Sequence, residues 1–157
     1  MFTFFRSLNV HIICLQETHS RSEDETNWTN EWGLGQACFN SDKPGKSRKK
    51  GVAILLNDPV LSMHVLAKST DGRVVSAEVQ YLNTCLRIVN VYCPTMSYSA
   101  TCRNNFFDSL YLHFQTKHPT ILTGDFNVLN NPFIGKTLQA TSMIVPIHFC
   151  FYVTQLD

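Results

Sequence analysis

Four side chains suited to binding a metal ion or a phosphate group follow apolar, strand-like segments of the sequence. They belong to the segments Q-E-T, N-V-Y-C-P and G-D-F-N and are Glu17, Tyr92, Asp125 and Asn127. If those strand ends meet at one edge of a sheet, two carboxylates come together with an amide and a phenol. Hard oxygen ligands of this kind suit Mg²⁺, which keeps several of its waters. The pattern therefore predicts a site for Mg²⁺ and a phosphate ester.

A plainer interpretation is available for each of these segments. Asp and Asn often end strands, because their short polar side chains bond to the backbone of a turn. For one segment taken alone this alternative stays open. Three such segments in one chain favour the chemical interpretation.

A basic segment lies between residues 43 and 50. Five of its eight residues carry positive charge: Lys43, Lys46, Arg48, Lys49 and Lys50. In a nucleic-acid enzyme such a segment would contact the phosphate backbone without reading the base sequence. A solvated loop is the alternative, and a nuclear-localisation signal is a further reading of the same cluster.

Apolar and β-branched runs predict the strands that would position these groups. They fall at residues 12–15, 52–56, 62–68, 75–81, 85–91 and 121–122. Short breaks at Asp71-Gly72 and Leu82-Asn83 make the middle strands a mostly antiparallel meander. The order of strands and helices predicts a layered α/β or α+β fold.

Two helices are predicted between these strands. Ser22 and Glu25 match a capping box for a helix that ends before Gly33, with Trp28 and Trp32 on one face. Residues 101–117 carry apolar side chains at helical spacing, and Pro119 ends that helix.

Composition indicates one globular domain. The chain has 157 residues, of which 44% are hydrophobic, and its net charge of +1 shows no general attraction to nucleic acid or membrane.

Cys14, Cys85 and Cys93 lie in apolar segments, so reduced and mostly buried thiols are expected. The sequence has no C-x-x-C pair, and its histidines are scattered. A structural zinc site is therefore not expected.

Neither apolar terminal segment fits a signal or an anchor. The N-terminus lacks the apolar core and cleavage site of a secretory signal, and residues 143–153 are interrupted by Pro146 and His148. We expect an intracellular chain, in nucleus or cytoplasm, that is not secreted and has no membrane partner.

Four segments together carry a family resemblance. I-I-C-L-Q-E-T-H, the glycine before V-A-I-L-L, L-R-I-V-N-V-Y-C-P and T-I-L-T-G-D-F-N resemble successive motifs of the endonuclease/exonuclease/phosphatase family. The sequences of these motifs are most similar to those of endonuclease domains of LINE-type non-LTR retrotransposons, and the resemblance extends over residues 10–131. The resemblance implies a fold of the α/β class. The expected form is a partial four-layered α/β sandwich with mostly antiparallel strands. It also implies hydrolysis of phosphodiester bonds with Mg²⁺, or alternatively Mn²⁺.

The resemblance also implies roles for the four side chains. Glu17 would be the metal ligand, and Asp125 would orient or deprotonate the attacking water. Asn127 would hold the phosphate or the water, and Tyr92 would donate to the phosphate oxygens. Thr18 and His19 are candidates either for substrate contact or for a plain loop role. The DNA phosphate backbone is the expected partner, and no obligate protein partner is implied.

The sequence departs from the family at both ends. The family has an earlier strand with an asparagine ligand and a later Asp-His pair; neither Asn9 nor His148 has the setting to replace them. Residues 1–135 are therefore expected to form a truncated domain, and residues 136–157 a tail of unknown structure.

Three functions follow from this comparison. The chain is a DNA-nicking, Mg²⁺-dependent hydrolase impaired by truncation, or an inactive remnant that binds DNA weakly. Hydrolysis of phosphoinositide or sugar-phosphate esters is a third and less favoured reading.

Overall fold

The computed structural model describes residues 2–42, 50–127 and 149–153. Two four-stranded sheets pack face to face, and helices cover their outer faces. This arrangement has four layers, in the order helix, sheet, sheet, helix. The predicted α/β sandwich with mostly antiparallel strands is confirmed: four of the six strand pairs are antiparallel.

The first sheet has the strand order β2-β3-β1-β8. Its strands are β1 (Ile12–Gln16), β2 (Ala37–Asn40), β3 (Val52–Leu56) and β8 (Phe149–Val153). β3 pairs antiparallel with β1 and with β2, whereas β8 runs parallel to β1. Every residue of β1 and β3 is buried, which explains why both are almost continuously apolar in sequence.

The second sheet has the strand order β4-β5-β6-β7. Its strands are β4 (Ser62–Lys68), β5 (Val74–Tyr81), β6 (Thr84–Tyr92) and β7 (Thr120–Asp125). The first three form the predicted antiparallel meander, and β7 returns parallel to β6. The carboxyl ends of β6 and β7 therefore lie at the same edge of the sheet.

Helices α1 (Thr3–Ser7) and α2 (Asp24–Trp32) cover the first sheet, and α3 (Ala100–Leu110) covers the second. Trp28 and Trp32 share one face of α2, as predicted, and both rings lie edge-on to Phe2 at centroid distances of 6.3 and 5.5 Å. The main core lies between the two sheets and includes Ile54 and Ile88.

The predicted capping box at the start of α2 is wrong. The helix begins at Asp24, and no side chain caps it. Glu25 instead accepts a hydrogen bond from the backbone N–H of Ser41 at 2.8 Å and pairs with Lys68 Nζ at 2.9 Å. Glu25 therefore makes tertiary contacts in place of the predicted capping contact at the start of α2. Its partners, a cation and a backbone donor, come from elements far away in sequence.

The predicted helix 101–117 is shorter than expected. α3 starts at Ala100, with Ser99 Oγ accepting from Cys102 N at 3.2 Å, and gives way at Tyr111 to a 3₁₀ helix (Tyr111–Phe114). The tighter winding leaves Tyr111 69% exposed, while Phe114 still packs against the second sheet.

Candidate active site

The ends of three strands bring the four predicted side chains to one edge of the sandwich. Glu17 directly follows β1, while Tyr92 and Asp125 are the last residues of β6 and β7 and face each other in the parallel register. Asn127 lies two residues beyond Asp125. The predicted convergence of these strand ends is present in the structure.

Glu17 and Tyr92 are in direct contact across the two sheets. The Tyr92 hydroxyl donates a hydrogen bond to Oε1 of Glu17. Tyr92 is only 7% exposed, and burial is the main reason why its pKa is raised; the hydrogen bond to Glu17 and that carboxylate's charge raise the pKa further. The phenol is therefore held as a neutral hydrogen-bond donor.

Asp125 and Asn127 form a turn as well as a polar pair. Asp125 Oδ1 accepts a 2.9 Å hydrogen bond from the backbone N–H of Asn127. Asn127 Nδ2 donates to the carbonyl oxygen of Cys93 at 2.9 Å, and Cys93 N donates to Asp125 O at 2.8 Å. The turn interpretation of G-D-F-N is thus correct at the level of local structure. The same turn holds the side chains of Asp125 and Asn127 beside the end of β6. The turn interpretation and the chemical interpretation are therefore compatible.

Backbone conformation marks the same edge of the sandwich. Among the described residues, four non-glycine residues have positive φ, and three of them lie here: Glu17 at 52°, His19 at 51° and Asn127 at 47°. Such left-handed conformations cost free energy for residues other than glycine and cluster at functional sites. No sequence pattern predicted them.

A buried amide pair supports the site from below. Gln16 Nε2 donates to Asn90 Oδ1 at 2.6 Å, and Asn90 Nδ2 donates to the carbonyl oxygens of Leu15 and Ala53 at 2.8 and 2.9 Å. Both amides are essentially inaccessible to solvent. Sequence reasoning missed this role, although both residues belong to the quoted motifs, because the pairing depends on how the two sheets stack.

The loop after Glu17 packs against Gly51, the glycine quoted before V-A-I-L-L. A Cβ atom on Gly51, whose φ is 120°, would collide with the hydroxyl of Thr18. Thr18 is 1% exposed and bonds to Ser20 Oγ at 2.8 Å, so its loop role is favoured over substrate contact. His19 is more accessible, and its Nε2 lies 4.0 Å from Glu17 Oε2.

Of the basic segment, only Lys50 lies within the described residues; Lys43, Lys46, Arg48 and Lys49 lie outside them. Lys50 Nζ is 3.4 Å from Asp42 Oδ2. Together with Arg73 and Tyr98 it lines a surface cavity of about 290 Å³ beside the strand ends. The DNA-contact role of the segment stays a prediction.

The donor set at the strand ends fits a hard divalent cation. Glu17 and Asp125 supply carboxylate oxygens, which Mg²⁺ and Mn²⁺ both bind. The Glu17 side chain is 20% exposed, so solvent could reach a cation that it would hold.

A second group of possible ligands lies far from these strand ends. One ligand atom each of Glu78, Cys85 and His118 lies within 4.8 Å of the others. Arg87 Nη2 already donates to Glu78 Oε1 at 2.7 Å. A cation there would have to displace or face that guanidinium, which weakens the case for a metal.

Cys14, Cys38, Cys85, Cys93 and Cys102 are free thiols, and Cys14, Cys38 and Cys93 are buried. Among the described residues, no helix has the length and apolar character needed to cross a bilayer.

Comparison with known proteins gives one family match. The model of the "Endonuclease/Exonuclease/phosphatase family" matches residues 2–141. The chain is also 31% identical over 129 residues to "Transposon TX1 uncharacterized 149 kDa protein" of Xenopus laevis, an alignment that covers 80% of this chain and 9% of that protein.

Two solved structures illustrate the likeness in fold. The Xenopus laevis APE2 catalytic domain superposes with a TM-score of 0.63 at 21% identity, covering 82% of this chain and 54% of that one. AP endonuclease LMAP from Leishmania major gives a TM-score of 0.56 at 17% identity, covering 80% and 48%. The chain therefore spans about half the length of these structures.

Proposed function

The chain belongs to the endonuclease/exonuclease/phosphatase family, and we propose that it is a Mg²⁺-dependent phosphodiester hydrolase that nicks DNA. The observation that carries the proposal is the meeting of Glu17, Tyr92, Asp125 and Asn127 at one edge of the sandwich. This edge combines metal-binding carboxylates with neutral hydrogen-bond donors. Phosphoryl transfer needs such positioning and charge stabilisation more than covalent help from the protein.

The proposed roles follow from the atoms each residue offers. Water adds to phosphorus while the bond to the leaving sugar oxygen breaks and that oxygen takes up a proton from solvent. The Asp125 carboxylate orients the attacking water and accepts its proton. The Tyr92 hydroxyl donates to a phosphate oxygen as negative charge develops on it. Asn127 Nδ2 has a second hydrogen beside the one bonded to Cys93 O, and this hydrogen is available for the phosphate or the water.

Glu17 is the proposed ligand of the metal ion. When bound, Mg²⁺ would act as a Lewis acid toward the phosphate oxygens; Mn²⁺ has the same ligand preference. In the free protein the Tyr92 hydroxyl donates to the Glu17 carboxylate. That contact keeps one carboxylate oxygen in a fixed place before the metal and substrate arrive.

DNA is the substrate that the similarities favour. One similar protein is encoded by a transposon, and a structural relative is named an AP endonuclease. The basic residues between positions 43 and 50 add a means of binding phosphates that is independent of sequence. These three observations support a nuclease of the retrotransposon type over a phosphatase of small esters.

The test is relaxation of supercoiled plasmid by the purified chain. We expect nicking in Mg²⁺ that stops when EDTA is added, and that falls to background in Glu17→Ala and in Asp125→Ala. Asp108→Ala, which removes an exposed carboxylate on α3, is the matched control and should keep full activity. Circular dichroism melts establish that each variant is folded.

Folded wild-type protein that nicks no faster than Glu17→Ala would overturn the proposal. Salt-sensitive binding to DNA without cleavage would then identify a binding module. Release of phosphate from inositol phosphates, with plasmid left intact, would instead move the substrate to small esters.

A further inference from the structure

Arg73, which precedes β5, holds both backbone groups of Tyr92. Its carbonyl oxygen accepts from Tyr92 N at 2.8 Å, and its Nη1 donates to the Tyr92 carbonyl oxygen at 3.0 Å. Arg73 is 4% exposed, so this is a buried guanidinium. A buried charge is costly unless every donor finds a partner.

All three guanidinium nitrogens of Arg73 have partners. Nη1 bonds to Tyr92 O, Nη2 donates to the Tyr98 hydroxyl at 3.1 Å, and Nε lies 3.3 Å from Asp71 Oδ2. The guanidinium carbon is also 5.1 Å from the ring centroids of both Tyr92 and Tyr98. The planar group is thus fixed in orientation, which a lysine ammonium in its place could not reproduce.

We infer that Arg73 is a positioning residue for the reaction, which holds the Tyr92 ring so that its hydroxyl donates to Glu17 in the free protein and turns to the scissile phosphate when substrate is bound. Arg73 acts through Tyr92, because its three guanidinium nitrogens are already engaged by Tyr92, Tyr98 and Asp71.

The kinetic test compares Arg73 with Arg87, a half-buried arginine of β6 in the same sheet. We expect Arg73→Lys to lower kcat for nicking by roughly 10²-fold, with KM changed by less than about threefold, since small displacements of a catalytic group cost this much. Arg87→Lys, at the far end of β6 and paired with Glu78, is the matched control and should stay within about threefold of wild type. Arg73→Lys within twofold of wild type would overturn the inference.

A double-mutant cycle separates positioning from a general structural role. If Arg73 acts through the Tyr92 hydroxyl, Arg73→Lys should lower kcat less than about threefold when Tyr92→Phe is already present. An unchanged 10²-fold loss in that background would overturn the inference. Should Arg73→Lys fail to fold, Tyr98→Phe removes only the Nη2 partner. We then expect it to lower kcat about threefold in wild type and not at all in the Tyr92→Phe background.

The inference rests on the proposed hydrolase activity for its kinetic readout, and a second readout separates the two. In tyrosine-labelled protein, the Hα–Hβ couplings of Tyr92 should report one side-chain rotamer in wild type and in Arg87→Lys. Averaged couplings are expected in Arg73→Lys. If wild type does not nick, the proposed function fails, yet averaged couplings would still support the inference; a single rotamer in Arg73→Lys would overturn it.

Discussion

Gln16 Nε2 donates a 2.6 Å hydrogen bond to Asn90 Oδ1, and this bond joins the two sheets immediately below the candidate active site. Gln16 precedes Glu17, and Asn90 lies two residues before Tyr92. The contact between Glu17 and Tyr92 therefore depends on how the sheets are stacked. Any change that lets the sheets slide would separate the two residues.

Asn90→Leu should strongly destabilise the fold. The substitution removes three buried hydrogen bonds and leaves the Gln16 amide without its acceptor. Unsatisfied buried groups cost about 1–3 kcal/mol each, so we expect a loss of about 3 kcal/mol or more in the free energy of unfolding, measured with urea. Asn83→Ala, at the exposed tip of the β5–β6 hairpin, is the control. Equal midpoints for the two variants would contradict the supporting role of Asn90.

Tyr92→Phe tests the proposed donor while keeping the aromatic ring. Removing one transition-state donor typically lowers kcat by about 10²–10³-fold, and we expect a loss of that size in plasmid nicking. Tyr111→Phe removes an exposed hydroxyl and should leave the rate unchanged. A Tyr92→Phe protein that nicks at the wild-type rate would exclude the phenol from the reaction.

The raised pKa of Tyr92 predicts how stability changes in alkali. An unfolded tyrosine ionises at about pH 10, whereas folded Tyr92 holds its proton to higher pH. Its stabilising contribution is therefore complete below about pH 10 and is lost as the pH rises beyond it. Urea unfolding of wild type and Tyr92→Phe between neutral pH and pH 11 measures this. The wild-type curve should fall more steeply above pH 10, and parallel curves would refute the shift.

Gly124 should tolerate no side chain. It has φ 136°, and a Cβ there would collide with the carbonyl group of Val91 on the neighbouring strand. We expect Gly124→Ala to lower the free energy of unfolding by at least about 3 kcal/mol, the range of overpacking combined with backbone strain. Gly35→Ala has open space around it, so only its φ of 76° costs energy, about 1 kcal/mol. Similar losses at both positions would contradict the steric argument.

The basic segment should make DNA binding sensitive to salt. Each phosphate contact contributes about 0.9 to the slope of log K against log salt, so Lys49→Gln should reduce that slope by about this amount. Lys117→Gln is the control, since Lys117 is exposed and precedes the start of β7, at the end of the sheet opposite to the candidate active site. Fluorescence anisotropy with a labelled duplex measures both slopes. Identical slopes for Lys49→Gln and wild type would favour the plain-loop alternative.

Sequence reasoning found the strands and their polar ends because those features are local. Continuous apolar runs such as Val52–Leu56 directly reflect burial on both faces. The chain gave no sign of contacts set by stacking or by distant partners, such as Gln16 with Asn90 or Glu25 with Lys68. Arg73 was missed for the same reason: it follows a turn in sequence and becomes a buried group only when β6 lies beside it.

The positive φ of Glu17 sets backbone and side chain in opposition at one residue. Glycine at this position would relieve about 1 kcal/mol of backbone cost. It would also leave the buried Tyr92 hydroxyl without its acceptor, which costs about 1–3 kcal/mol. A laboratory selection for heat resistance alone would therefore keep the glutamate, just as a screen for turnover would.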